Sequence, residues 1–153
     1  MHEWPLYPGT GRLTDSGVGD GEGTTINFPL PAGATGDVYL DAIDSVVVPA
    51  AERFAPTWVL VSAGYDAHRA DPLTGLGLAA GDYVDLTQRL MELAAPRRLV
   101  VFLEGGYDLD ALRDCTAETV STLLGSPDRV EPATANGPGR TVVHAARDLH
   151  LPG

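Results

Sequence analysis

The chain has 153 residues, enough for one domain built around a single core. Twenty-one acidic against ten basic side chains give a net charge of -11, which disfavours any partner that presents a phosphate backbone. Its apolar runs fall short of the roughly 20 residues a membrane helix needs, and the single cysteine, Cys115, excludes an internal disulfide and a thiolate zinc cluster.

No basic-then-apolar leader opens the sequence, so a soluble, cytoplasmic protein is expected. Residues 1–23 carry aromatics and then a run of glycines, the composition of a loop. The alternation in Thr24 to Leu30 (TTINFPL) predicts a strand, with Pro29 marking an edge or an end. From Asp37 to Phe54 the apolar residues Tyr39, Ile43, Val46, Val47, Ala50 and Phe54 step by threes and fours, a helical face that Pro49 should kink or end early.

Thr57 to Ser62 (TWVLVS) is short, apolar and β-branched, the pattern of a strand covered on both faces. Asp82 is placed to cap a helix bearing Tyr83, Leu86, Leu90 and Leu93 that stops before Pro96. Leu99 to Leu103 (LVVFL) repeats the buried-strand pattern. Asp108 then caps a helix with Leu112, Cys115, Thr119 and Leu123 on its face, closed by Gly125. Cys115 is expected as a small buried core residue. Residues 126–140 are a loop rich in Pro and Gly, and Thr141 to Leu151 reads as a helix or a strand. Strand and helix in alternation predict an α/β fold, a parallel sheet flanked by helices.

Ligands of such sheets bind beyond the carboxyl ends of the strands. Both buried strands end alike here, in SAGYD (Ser62 to Asp66) and EGGYD (Glu104 to Asp108). Asp108 is assigned to capping. For Asp66 two readings stand, a turn residue or a metal ligand. His68, two residues on, is expected at the surface or behind a ligand, and His2, His144 and His150 show no paired spacing. GVGDGEG (Gly17 to Gly23) lacks the Lys-Ser/Thr ending of a phosphate loop and carries two acids, so a flexible loop explains it better than a phosphate site.

Four ordered motifs then carry a resemblance: HEWPLYPGTG (His2 to Gly11), the glycine run into TTINFPLP, LVSAGYDAHRADPL (Leu60 to Leu73) and FLEGGYDL (Phe102 to Leu109). Together they resemble the C-terminal part of the zinc-dependent histone deacetylase superfamily, in the manner of its class II and acetylpolyamine amidohydrolase-like members. The resemblance covers residues 1–125 as a portion of the catalytic domain, with 126–153 left as a Pro/Gly-rich loop and C-terminal segment. It implies an arginase-like α/β fold and a Zn2+ cofactor. It also implies that Asp66 is a zinc ligand, that Tyr107 bonds the substrate carbonyl and oxyanion, that Tyr7 is an aromatic wall of the acyl-lysine tunnel, and that Gly105 and Gly106 line its inner end.

The family's first aspartate and histidine ligands and its His-His pair have no counterpart in the chain. It is therefore expected to be a partial fold, inactive alone, whose exposed sheet edge invites self-association. The substrate implied is an acetylated lysine or polyamine. The alternatives are a non-catalytic remnant or interaction module of the same fold, and a phosphate-binding α/β domain resting on the glycine run.

Overall fold

The computed structural model describes residues 1–151. In chain order the elements are β1 (His2–Glu3), β2 (Pro29–Leu30), α1 (Gly36–Ala42), a π-helical turn (Ile43–Val47), α2 (Val48–Phe54), β3 (Val59–Ala63), α3 (Ala80–Leu93), β4 (Leu99–Leu103), α4 (Leu109–Leu123) and α5 (Arg140–His150). β3 and β4 pair in parallel, Val59 opposite Leu99 through Ala63 opposite Leu103. β1 and β2 form a second, two-residue parallel pair. The α/β class and the parallel pairing agree with the alternation read from the sequence.

The strand expected over Thr24 to Leu30 shrinks to Pro29–Leu30. Thr24 and Thr25 are used elsewhere: their amides donate to Gly21 O and Ser16 O, which closes the glycine run into a hydrogen-bonded loop. Pro29 sits inside the ladder without loss, because β1 takes only the carbonyls of Phe28 and Leu30. Pro49 does not end the helical path, which runs from Gly36 to Phe54. A proline at 49 cannot donate back to the carbonyl four residues earlier, and the mismatch is taken up by the wide turn before it, where Val48 N–H donates to Ile43 O.

The expected two-sided burial of the strands is not found. Val61, Ala63, Leu99 and Val101 face a cavity in front of α3, whereas Leu60 is 67% exposed and Phe102 55%. Among the described residues nothing covers that second face. The core lies instead where β2, α1, the π turn, α3, α4 and α5 converge, with Leu30, Val38, Val46, Val84, Cys115 and Val143 fully buried. Cys115 is the packed residue expected of it, and burial pushes its thiol up to about 12, with Glu131, Asp114 and Asp82 adding to the shift.

Asp82 also differs from expectation. α3 begins at Ala80, so Asp82 is its third residue and reaches back to Ala79 N–H at 2.8 Å. Asp108 caps α4 as predicted, accepting from Ala111 N–H at 2.8 Å. The open segment 141–151 resolves as the helix α5, which packs on α1 and the π turn.

Residues 126–139 have no regular structure, but they are tied down along their length by acids. Glu118 Oε1 accepts from Val130 N–H. Asp82 accepts from both Thr134 N–H and its hydroxyl at 2.7 Å. Glu131 accepts from Ala80 N–H and His68 Nε2 at 2.9 Å and from Arg69 at 2.6 Å. The strap runs so close to α3 that a Cβ on Gly81 would stand 2.2 Å from Glu131 O.

Burial raises the Glu131 carboxyl, and the bonds from Ala80, His68 and Arg69 outweigh it, leaving it lowered to about 2 from an ordinary 4.5. A carboxylate depressed on folding stabilises above its unfolded pKa, and that stability is lost as pH falls through the folded value. Denaturant titrations should therefore show stability falling between about pH 4.5 and about 2. Glu131→Gln should lose about 1–3 kcal/mol at neutral pH and flatten that segment of the profile. Equal stability of variant and wild type at pH 7 would remove the strap's main anchor.

Candidate functional site

The two strand endings meet at one rim, continuing the β3–β4 ladder beyond the strands. Glu104 N–H donates to Ala63 O at 2.9 Å and Tyr65 N–H to Gly105 O at 3.0 Å. The backbone register pairs residues 40 apart, as Ala63 with Leu103. The two pentapeptides are 42 apart, so similar sequences land at different heights. Tyr65 is consequently buried, while Tyr107 is 58% exposed. Asp66 lies against Gly105, whereas Asp108 faces its own helix.

Asp66 is half-buried on a 3-10 turn, Tyr65–Ala67. The glycines around it leave the carboxylate room: a Cβ on Gly105 would lie 3.1–3.2 Å from the Asp66 carboxyl group, and one on Gly64 would lie 2.7 Å from Oδ1. Gly105 and Gly106 also take positive φ, 100° and 124°, which favours glycine on conformational grounds alone. A Cβ on Gly106 would lie 3.0 Å from Tyr65 Cβ, so this glycine seats Tyr65 and does not face the carboxylate.

Burial pushes the Asp66 carboxyl up from its ordinary value, and the charge of Asp71 adds to the shift. Burial likewise pushes the Tyr39 hydroxyl up, with contributions from Asp66 and Glu3. Among the described residues no lysine, arginine or histidine forms an ion pair with Asp66 or Glu3. An opposite charge placed beside such a carboxylate would favour its ionised form. Tyr7, 94% exposed, joins Asp66, Tyr39, Tyr65 and Tyr83 in the wall of a cavity of about 610 Å³. Gly105, Gly106 and Tyr107 are outside that lining.

His68, expected near the surface or behind a ligand, is 5% exposed and fully engaged. Its Nδ1 accepts from Ala70 N–H at 3.1 Å, so Nε2 carries the proton and donates to Glu131. Neither nitrogen is left for a metal. His144 is exposed and His2 and His150 are partly buried. No group of three or more His, Cys, Asp or Glu side chains among the described residues could hold a metal ion. A catalytic zinc takes three protein ligands. Asp66 fits the role of one ligand, and the described residues do not complete the set.

Three residues that position the rim were not singled out by the sequence. Tyr83 donates to Gly64 O at 3.2 Å, Thr74 Oγ1 donates to Asp66 O at 2.6 Å, and Asp71, 6% exposed, accepts from Tyr107 N–H at 2.6 Å. The available signal was Asp71-Pro72, a turn-initiating pair.

The family model described as "Histone deacetylase domain" matches residues 1–123. The chain is 48% identical over 129 residues to "Histone deacetylase 10, chloroplastic" of Oryza sativa subsp. japonica, covering 82% of this chain and 29% of the relative. To the "Probable deacetylase" of Archaeoglobus fulgidus it is 42% identical over 112 residues, 71% of this chain and 31% of the relative. In structure it is similar to the histone deacetylase Clr3, with a TM-score of 0.85 and 34% identity over 95% of this chain and 25% of that one. The HDA15 HD domain is similar at a TM-score of 0.83 and 32% identity, over 96% and 40% of the two chains. The chain thus spans under a third of the length of those two curated relatives.

The glycine cradle is testable without any ligand. Gly105→Ala should lower stability by about 1–3 kcal/mol, and by more than Gly125→Ala, which has a similar positive φ but nothing within 4 Å of an added Cβ. Equal losses in chemical denaturation would mean that Asp66 does not press on Gly105.

Proposed function

The chain belongs to the histone deacetylase family, and from that premise we propose that it forms one side of a zinc-dependent amide-hydrolase site acting on an acetylated lysine or polyamine. The observation that carries the proposal is Asp66, a half-buried carboxylate pressed against Gly105, with no protein cation paired to it among the described residues, on the same rim as Tyr107. Asp66 is a zinc ligand. Bound there, zinc would polarise the amide carbonyl and make its bound water nucleophilic at neutral pH. Tyr107 donates its hydroxyl to the carbonyl oxygen and the oxyanion that develops from it, without needing to ionise. Tyr7 forms an aromatic wall for the acyl chain. Gly105 keeps the space beside the Asp66 carboxylate free of a side chain, and Gly106 seats Tyr65.

Residues 1–125 are the catalytic portion in this reading, and 126–151 brace it. With one ligand among the described residues, the 153-residue chain hydrolyses nothing by itself. A second reading, a non-catalytic interaction module, draws on the exposed side chains Leu60 and Phe102 and on the unpaired outer edges of β3 and β4, which also favour self-association. Metal analysis of the protein at the full length its gene encodes separates the two, since only the first reading predicts stoichiometric zinc there. Stoichiometric zinc with deacetylase activity in the 153-residue chain would refute its incompleteness.

In the protein at the full length its gene encodes, Asp66→Asn should lose zinc. Tyr107→Phe should keep zinc and lose about 10²-fold or more in kcat on an acetyl-lysine peptide. Retained zinc and near-normal turnover in both variants would sink the assignment.

A further inference from the structure

We propose that Asp71 is a positioning residue that sets where Tyr107 stands relative to Asp66. The inference rests on the reading of Tyr107 as the oxyanion donor. A carboxylate that is 6% exposed is costly unless its oxygens are satisfied, and those of Asp71 are satisfied by three backbone amides. Oδ1 accepts from Leu73 N–H at 2.9 Å, a local turn bond. Oδ2 accepts from Tyr107 N–H at 2.6 Å and Asp108 N–H at 3.2 Å, reaching 36 and 37 residues along the chain.

Among the described residues no other hydrogen bond holds the Tyr107 backbone itself. Gly105 and Gly106, at φ 100° and 124°, bring the chain to Tyr107 through two residues with no Cβ to limit them. The Tyr107 side chain is 58% exposed, so packing does not set its height. The other end of the Asp71 loop is fastened to Asp66, whose carbonyl accepts from Thr74 Oγ1 at 2.6 Å. One loop, residues 66–74, is thereby bonded to the metal-ligand turn and to the tyrosine's backbone. Its length sets the separation of the two groups that must act together, and misplacement on the order of 1 Å costs about 10²-fold in rate.

Asparagine has the shape of aspartate but one acceptor oxygen, and its NH2 would confront the amides that the carboxylate now receives. In the protein at the full length its gene encodes, Asp71→Asn should lower kcat on an acetyl-lysine peptide about 10- to 100-fold, with KM within about threefold and zinc content unchanged. The loss must disappear in a Tyr107→Phe background, because a residue acting through the hydroxyl has nothing further to lose once it is gone. Equal losses in both backgrounds would overturn the proposal.

Amide hydrogen exchange supplies an arm independent of turnover. The Tyr107 and Asp108 amides should be protected in the wild type and exchange about tenfold faster or more in Asp71→Asn. Unprotected amides in the wild type would overturn the clamp without any variant, so poor folding of Asp71→Asn cannot shelter it. Near-normal activity of Tyr107→Phe with protected amides would instead retire the catalytic reading of Tyr107, and with it the functional half of this proposal.

Discussion

A side-chain carboxylate that accepts backbone amides from a distant segment is the interaction on which this molecule depends. Asp71 holds Tyr107 and Asp108, Glu131 holds Ala80, Asp82 holds Thr134, Glu118 holds Val130, and Glu3 holds Gly75 at 2.5 Å. Bonds to an ionised acceptor are about twice as strong as neutral ones and fix position as well as energy. Segments without regular structure, 69–77 and 126–139, acquire in this way the definition that a ladder gives to strands. Five of the 21 acidic side chains are thus committed to bonds within the fold.

Local signals in the sequence were legible where the partner lies close along the chain. β4 has the predicted bounds, Asp108 caps α4 through Ala111 three residues on, and Cys115 packs at the position its helical spacing implies. The differences arise where the pattern of one segment does not name what packs or bonds against it. TTINFPL alternates like a long strand, but its neighbour β1 has two residues, and the loop to Ser16 claims the rest. TWVLVS has the composition of a strand covered twice, yet composition does not say whether a second layer is present. Pro49 reads as a helix breaker, and the wide turn that absorbs it leaves no mark in the pattern of apolar residues. Of the two places expected for His68, the surface is excluded by its burial, and its partner Glu131, 63 residues away, leaves no local signal.

The candidate site shows the same division. SAGYD and EGGYD are recognisable as two strand endings on one rim, and that much follows from parallel-sheet geometry. Their division of labour does not. A register that pairs residues 40 apart, set against motifs 42 apart, buries one tyrosine and exposes the other, and turns one aspartate to Gly105 and the other to its helix. The glycines separate similarly: Gly105 makes room for the Asp66 carboxylate, Gly106 for Tyr65. In the proposed function the rim's chemistry follows from Asp66, whose carboxyl burial pushes up from its ordinary value.

The account turns on where the metal sits. Anomalous diffraction at the zinc edge, from crystals of the protein at the full length its gene encodes, measures that position directly. A zinc peak about 2.0–2.2 Å from an Asp66 carboxylate oxygen, with the Tyr107 hydroxyl directed to the same centre, is the predicted result. Zinc bound elsewhere, with Asp66 free of it, would contradict the account.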